Sequence, residues 1–430
     1  MTWSAPLSGP VDAIVDIPGS KSLTNRYFVL AALGSEPVTI HHPLVARDTE
    51  LMADALESLG AIINRGAEAW TIVPGPLRGG NVECGLAGTV MRFIPPLATF
   101  AMEPVRLDGD PAARVRPMDA IVDGLRGLGV QVDAAELNGS PVLPMTVHGT
   151  GSVAGGSLDI DASASSQFVS ALLLAAPLMT HGLDLRHVGE TLPSQPHIAM
   201  TVAVLREAGI DVVEQPVDAP NRWIVSPNIP QLSDVTIEPD LSNAGAFLAA
   251  AMVSGGRVSI PRWPSQTTQP GDAYREIFTE MGATVTLDDG LLTVVGPGAI
   301  RPYDADMKDV GELVPSVAAV AAFADGTSYL RNIGQLRGHE TDRLAALTTE
   351  LAKIGVTAYE DGDDLVIEGG VPTKAAVIES YEDHRMATFG AILGLRIEGI
   401  EVVNIETTSK TLPEFVAMWM QAFGGAHVEA

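Results

Sequence analysis

The chain of 430 residues predicts an α/β protein of two domains, each built from three copies of one unit. Three observations carry that expectation. A short polar motif opens an almost wholly apolar helix six times along the chain. An amphipathic helix follows each one and ends at Gly60, Gly129, Gly209, Gly282, Gly355 or Gly424, roughly seventy to eighty residues apart. Strand-like runs fall between and after the two helices of every copy. Self-similarity at a fixed interval marks a repeat architecture.

The apolar helices read Tyr27–Leu33, Val90–Met102, Phe168–Met179, Ala244–Val253, Val317–Phe323 and Met386–Leu395. They are rich in Ala, Leu and Val on every side, so they belong in a core. Strand runs follow at Val38–Ile40, Val105–Leu107, Leu183–Val188, Arg257–Ile260, Ser328–Ile333 and Ile400–Ile405. The second helices are one-sided: Met118, Ile121, Val122, Leu125 and Leu128 share a face, as do Leu344, Leu347, Leu351 and Ile354. Glycine at each helix end predicts a left-handed cap. A strand pair then closes the unit, plainest in Ala283–Leu287, the turn Asp288-Asp289-Gly290, and Leu291–Val295.

Closing strands like Ala69–Pro74 recur at Met145–Gly149, Trp223–Pro227, Leu291–Gly296 and Leu365–Gly369. The sixth unit reaches Ala426–Ala430 without one, and Ala13–Pro18 has the pattern to supply it. The count therefore predicts an N-terminal domain over 20–230 and a C-terminal domain of 231–430 completed by 1–19, with a ligand cleft between them.

Composition narrows the class. A hydrophobic fraction of 46% with 18% charged residues supplies an ample core. The single cysteine, Cys84, forms no internal disulfide and suits a reducing compartment. Met1–Pro6 lacks the pattern of a secretory signal, and the apolar helices are too short and too broken for a bilayer. A cytoplasmic protein, with no membrane and no nucleic acid as partner, is expected; the net charge of −27 disfavours the latter. Screening beyond about 8 Å lets local cations still bind small anions. Two of the five lysines, Lys21 and Lys410, sit inside polar motifs.

Helix N-termini attract anions. Gly19-Ser20-Lys21-Ser22-Leu23-Thr24-Asn25-Arg26 offers free N–H groups, hydroxyls and two cations at such a place, although a plain solvated helix start accounts equally for it taken alone. It is no Walker A loop, because Ile14 stands where that pattern needs glycine. Gly88 in Cys84–Arg92 permits close approach of a ligand to the backbone, and a tight turn is the competing account. Arg114 and Arg116 before Pro117 are unfavourable at a helix start unless an anion is bound there. Ser165-Ser166-Gln167 and Ser194-Gln195-Pro196-His197 read first as ordinary caps. Glu312, the run Arg337–Arg343 with His339 and Glu340, Asp383-His384-Arg385 and Ser409-Lys410 add carboxylates and cations at equivalent places. A solvated charged face explains each singly. Their recurrence in register points to one site. No metal-ligand spacing occurs among the nine histidines.

In their order these motifs resemble the 5-enolpyruvylshikimate-3-phosphate synthase family of the enolpyruvyl transferase superfamily. The resemblance rests on Pro18–Ser22 with Arg26, Ala87-Gly88-Thr89 with Arg92, Arg116-Pro117, Ser165–Gln167, Glu340–Arg343, Asp383–Met386 and Lys410-Thr411. It implies two inverted α/β prism domains, each a threefold repeat of βαβαββ units. It also implies transfer of the enolpyruvyl group of phosphoenolpyruvate to the 5-hydroxyl of shikimate 3-phosphate by addition and elimination, in a monomer without cofactor or metal. By resemblance, Lys21, Ser22, Arg26, Ser165, Ser166, Gln167, Ser194, Glu312 and His339 face shikimate 3-phosphate. Phosphoenolpyruvate falls to Lys21, Gly88, Arg116, Gln167, Arg343, His384, Arg385 and Lys410. Glu312 takes the place of the base, with Glu340 and Lys21 handling the carbon-bound proton. The two substrates bring roughly five to six negative charges, counting about −1.5 to −2 for each phosphate, which these cations would offset.

The sequence departs from the commoner pattern at five positions. Leu86 replaces Asn, Glu312 replaces Asp, Gln335 replaces Asn, His339 replaces Lys, and His197 stands where Tyr often stacks on the shikimate ring. Altered affinity, with function kept, is the expectation. Two other readings compete: the sister transferase acting on a UDP-amino sugar, and a non-catalytic anion-binding protein of the same fold. Asp110–Met118 lacks the sister family's reactive cysteine, and the acids argue against the second.

Overall fold

The computed structural model describes residues 1–214 and 221–424; Ala426–Ala430, the expected end of the sixth repeat, lies outside them. In chain order the α-helices are α1 (Lys21–Leu33), α2 (Arg47–Ser58), α3 (Gly88–Ala98), α4 (Asp119–Gly127), α5 (Gln167–Ala175) and α6 (Gln195–Glu207). They continue with α7 (Leu241–Ser254), α8 (Tyr274–Glu280), α9 (Val314–Ala321), α10 (Arg343–Lys353), α11 (His384–Gly394) and α12 (Phe415–Phe423). The odd-numbered helices are buried nearly along their whole length, as an apolar circumference requires. The even-numbered ones bury one side: Ile121, Val122 and Leu125 in α4, and Leu344, Leu347 and Leu351 in α10. Gly60, Gly129, Gly209, Gly282 and Gly355 hold positive φ and end their helices as expected. Gly424 does not: its φ of −74° is still helical, and its N–H bonds to Met420 O.

The chain divides into two compact units. One spans Gly19–Ile237, and the other joins Met1–Pro18 to the chain from Glu238 onward. In the first unit, the second repeat shows the plan. Gly80–Glu83 runs parallel to Val105–Asp108, which pairs antiparallel with Ser140–His148, and that strand pairs with Gln131–Leu137. Gly156–Ile160 opens the third repeat in the same order. Phe28, Phe93 and Leu172 lie in the core that the three buried helices share.

The first repeat opens from a distance. Val235–Thr236 pairs parallel with Ile40–His41, and Ile237 N–H donates to His41 O at 2.9 Å. Residues 231–237, counted from sequence with the C-terminal part, therefore lie with the first unit. Gly19 joins it too, because a Cβ there would stand 2.2 Å from His42 O.

The other unit shows the reciprocal exchange. Asp12–Ile14 runs parallel to Arg257–Ser259 and opens the fourth repeat. Closure of the sixth sheet, expected from Ala13–Pro18, falls instead to Thr2–Ser4, antiparallel to Glu401–Val403. Alternating burial looks alike in opening and closing strands; only the partner's direction separates them. Phe247 in α7 packs against Phe415, Trp419 and Phe423 at centroid distances of 5.8, 5.4 and 6.1 Å, which seats α12 on the core. Gly245, beside it in α7, faces the buried Tyr274 ring: an added Cβ would lie 2.1 Å from Cζ. Gly245→Ala should therefore lower unfolding stability by about 1–3 kcal/mol, read from the urea midpoint, and an unchanged midpoint would refute that packing.

Candidate functional site

In the first unit Lys21 begins α1, whose N-cap Ser20 accepts from Leu23 N–H. Its ammonium meets Asp48 Oδ2 at 3.2 Å, and Asp48 is 2% exposed. That carboxylate, from the first turn of α2, holds an otherwise mobile side chain in place. Three residues marked for phosphoenolpyruvate converge from the second and third repeats. A Cβ built on Gly88 would stand 3.3 Å from Gln167 Oε1, 3.5 Å from Arg116 Nη1 and 2.8 Å from Arg92 Nη1. Arg116 Nε and Nη1 and Gln167 Oε1 are buried and have no hydrogen-bond partner among the described residues. The two Arg116 nitrogens are buried donors left unsatisfied, which is costly, so they form an arrangement that an anion would complete, while Gln167 Oε1 is an acceptor open to a hydroxyl. Gly88 is small for this reason: a side chain would occupy the space the guanidinium groups face.

Arg26 is enclosed by protein. It is 1% exposed and its N–H groups are engaged by Thr201 Oγ1 at 2.7 Å, Ser22 O and His197 O at 2.9 Å each, and Ser170 Oγ at 3.4 Å. Burial pulls its guanidinium down to about 9. In this conformation it ties α1 to α5 and α6. Ser166 is buried at the N-cap of α5, while Ser165 Oγ accepts from Gln167 N–H at 3.3 Å. Ser194 takes left-handed backbone at φ +54° where α6 begins. Leu86 packs against the core and offers no polar contact in place of the usual amide.

The second unit gathers its charged residues around one carboxylate. Asp383, fully buried, caps α11 by accepting from Arg385 N–H at 2.8 Å. It also receives Arg343 Nε and Nη2 at 2.7 and 3.1 Å, and His384 Nδ1 lies 3.7 Å away. Arg343 reaches Glu340 at 3.2 Å and His339 Nδ1 at 3.2 Å from its outer nitrogens. Lys410 Nζ donates to the other oxygen of Glu340 at 2.5 Å. Burial opposes the Arg343 charge, but Asp383, Glu340 and Glu312 outweigh it and hold the guanidinium above its ordinary value. Glu312 thus lies within electrostatic reach of Arg343, in the short helix Lys308–Leu313 ahead of α9. Gln335 Nε2 donates to Lys308 O at 3.1 Å and steadies that helix. Arg385 Nη1 donates to Ser242 O at 2.9 Å and lines a small cavity with Asn243, His384, Thr388, Thr408 and Thr411.

Glu312, His339, Glu340, Arg343, His384, Arg385 and Lys410 are therefore brought together by the second unit, as Gly88, Arg116 and Gln167 are by the first. Sequence reasoning missed the groups that hold them. Asp48, Ser170 and Thr201 carry no motif; their only signal is a polar residue on the buried side of a helix. Asp383 lies in the run Asp383-His384-Arg385, where an Asp ahead of an apolar helix is a cap signal. Among the described residues, no cluster of three His, Cys, Asp or Glu side chains fits a metal ion.

Comparison with known proteins identifies the family. The family model described as EPSP synthase (3-phosphoshikimate 1-carboxyvinyltransferase) matches residues 7–419. A 3-phosphoshikimate 1-carboxyvinyltransferase of Kocuria rhizophila is 52% identical, covering 98% of this chain and 96% of its own. One from Mycobacterium ulcerans is 50% identical over 99% and 98%. An EPSP synthase structure from Acinetobacter baumannii shares the fold at a TM-score of 0.82 with 23% identity over 98% of both chains. The enolpyruvyl transferase NikO from Streptomyces tendae does so at 0.76 and 17%, over 97% and 96%. A family match over nearly the whole chain and relatives of half identity at full length leave one conclusion: the chain belongs to the EPSP synthase family.

Proposed function

We propose how these residues divide the work of the reaction. That reaction is transfer of the enolpyruvyl group of phosphoenolpyruvate to the 5-hydroxyl of shikimate 3-phosphate, a step of the shikimate pathway. The observation that carries the residue-level reading is the convergence of Arg116 and Gln167 over Gly88 with buried polar atoms left unsatisfied. The Arg116 donors, beside the N-terminus of α3, suit the phosphate and carboxylate of phosphoenolpyruvate. Lys21, Gly88, Arg116, Gln167, Arg343, His384, Arg385 and Lys410 are assigned to that substrate. Lys21, Ser22, Arg26, Ser165, Ser166, Gln167, Ser194, Glu312 and His339 receive shikimate 3-phosphate.

The chemistry is a proton relay around one carbon centre. Glu312 takes the proton of the 5-hydroxyl as its oxygen bonds to the central carbon of phosphoenolpyruvate. The methylene carbon gains a proton from Glu340 or Lys21, giving a tetrahedral intermediate. The bond to phosphate then breaks, the methyl group returns a proton, and phosphate leaves. Glu340 suits that exchange because Lys410 and Arg343 both donate to it, and a proton can pass along the pair. Lys21 is aimed by Asp48. The protein acts as a cytoplasmic monomer on these two small anions; among the described residues, no helix is long and apolar enough to cross a membrane.

Phosphate release from phosphoenolpyruvate should occur with shikimate 3-phosphate and not with UDP-N-acetylglucosamine; turnover with only the second acceptor reverses the assignment. Glu312→Gln should bind both substrates yet lose turnover by about 100-fold or more, the usual worth of a general base. Retained kcat removes Glu312 from the mechanism. Lys21→Met should raise KM for phosphoenolpyruvate as well as lower kcat, so a change in kcat alone argues against direct contact.

A further inference from the structure

The Asp383 anchor follows a strained corner. Tyr381 and Glu382 are consecutive non-glycine residues in left-handed backbone, at φ +53° and +56°. L-residues disfavour this region, and it persists only where the surroundings impose it. Glu350 imposes it from α10. The Tyr381 hydroxyl donates to Glu350 Oε1 at 2.6 Å, and Glu379 N–H donates to Oε2 at 3.2 Å. Thr407 Oγ1 secures the other side by donating to Glu382 O at 2.9 Å.

Glu350 is itself unusual. It is a fully buried carboxylate that the reaction does not use, with Lys353 Nζ 2.7 Å away at the rim. Burying a carboxylate is costly unless hydrogen bonds compensate. Here the compensating bonds are the ones that hold the corner. Burial, then the hydrogen bond to Glu350, pushes the Tyr381 phenol above its ordinary range and keeps it a donor. The same helix presents Arg343 at its first residue, where it pairs with Asp383. Two links, Arg343 to Asp383 and Glu350 to Tyr381, thus fix the segment 379–385 along α10.

We infer that Glu350 and Tyr381 are positioning residues: their clamp holds the left-handed corner that aims Asp383, and through it Arg343 and Arg385, at phosphoenolpyruvate. The inference rests on the proposed phosphoenolpyruvate role of those two arginines. Without the clamp the corner relaxes toward negative φ, the Asp383 carboxylate turns, and the guanidinium groups lose their alignment. Most residues assigned to shikimate 3-phosphate lie outside this cluster, so its binding should change less.

Steady-state kinetics on the full chain test this. Tyr381→Phe keeps the ring and should raise KM for phosphoenolpyruvate about 5- to 10-fold, the worth of one hydrogen bond. The KM for shikimate 3-phosphate should stay within about twofold. Adding Glu382→Gly to that variant should return most of the loss, because glycine takes positive φ without a side-chain penalty. Thermal melts of each variant identify any that fail to fold, and Glu350→Gln repeats the test from the other partner. An unchanged KM for phosphoenolpyruvate in both folded clamp variants overturns the inference. So does an equal rise for both substrates, or no recovery with glycine. Arg343→Lys is run alongside. If it raises KM for phosphoenolpyruvate while the clamp variants do not, the clamp alone falls. If it leaves that KM unchanged, the reading of the site falls and takes the clamp with it.

Discussion

A helix buried on every side leaves backbone polar groups unpaired only at its ends, and the rest of this structure follows from that constraint. The odd-numbered helices have no solvated face, so most of the charge at the site enters at their N-termini or along the loops that lead in. Orphan N–H groups at those starts need acceptors. Ser20 serves α1, Asp240 serves α7 and Asp383 serves α11. Asp383 shows the economy of the arrangement, because the cap that starts the helix also pairs with the Arg343 guanidinium. Structural and functional demands meet in one side chain.

An acidic chain can thus bind anions. Its formal charge of −27 is spread over the surface, while the cations at the site are few and individually placed. Asp48 places Lys21; Glu340 and Asp383 place Arg343; Glu340 also places Lys410. A paired arginine in a dry setting keeps its charge, as the raised Arg343 does. Arg26 is the opposite case, buried among hydroxyls and carbonyls with its guanidinium held lower by desolvation. Its donors tie three helices together.

Much of this was legible in advance because repetition amplifies weak signals. The Ala- and Leu-rich runs located the buried helices, and the glycine after each amphipathic helix located five of the six left-handed ends. Gly424 was misread, since glycine permits positive φ without requiring it. The polar motifs marked the site because charges opening an apolar helix have few structural uses. Their holders were hidden: Thr201 and Ser170 are unremarkable letters until α1, α5 and α6 lie side by side.

The sequence by itself determined the six repeats, the buried or one-sided character of their α-helices, and most of the polar residues at helix starts, because periodicity and capping are local properties of the chain; Glu312 and Lys410, read as opening helices, lie instead in 3-10 turns ahead of them. Only the tertiary structure decided the strand exchange, in which Val235–Thr236 opens the first repeat, Asp12–Ile14 the fourth, and Thr2–Ser4 closes the sixth. It also decided that Arg116, Gln167 and Gly88 converge, that Arg26 is enclosed, and that Tyr381 and Glu382 turn left-handed. Each depends on contacts between residues far apart in the chain, and the letters of a single segment carry no record of its partner.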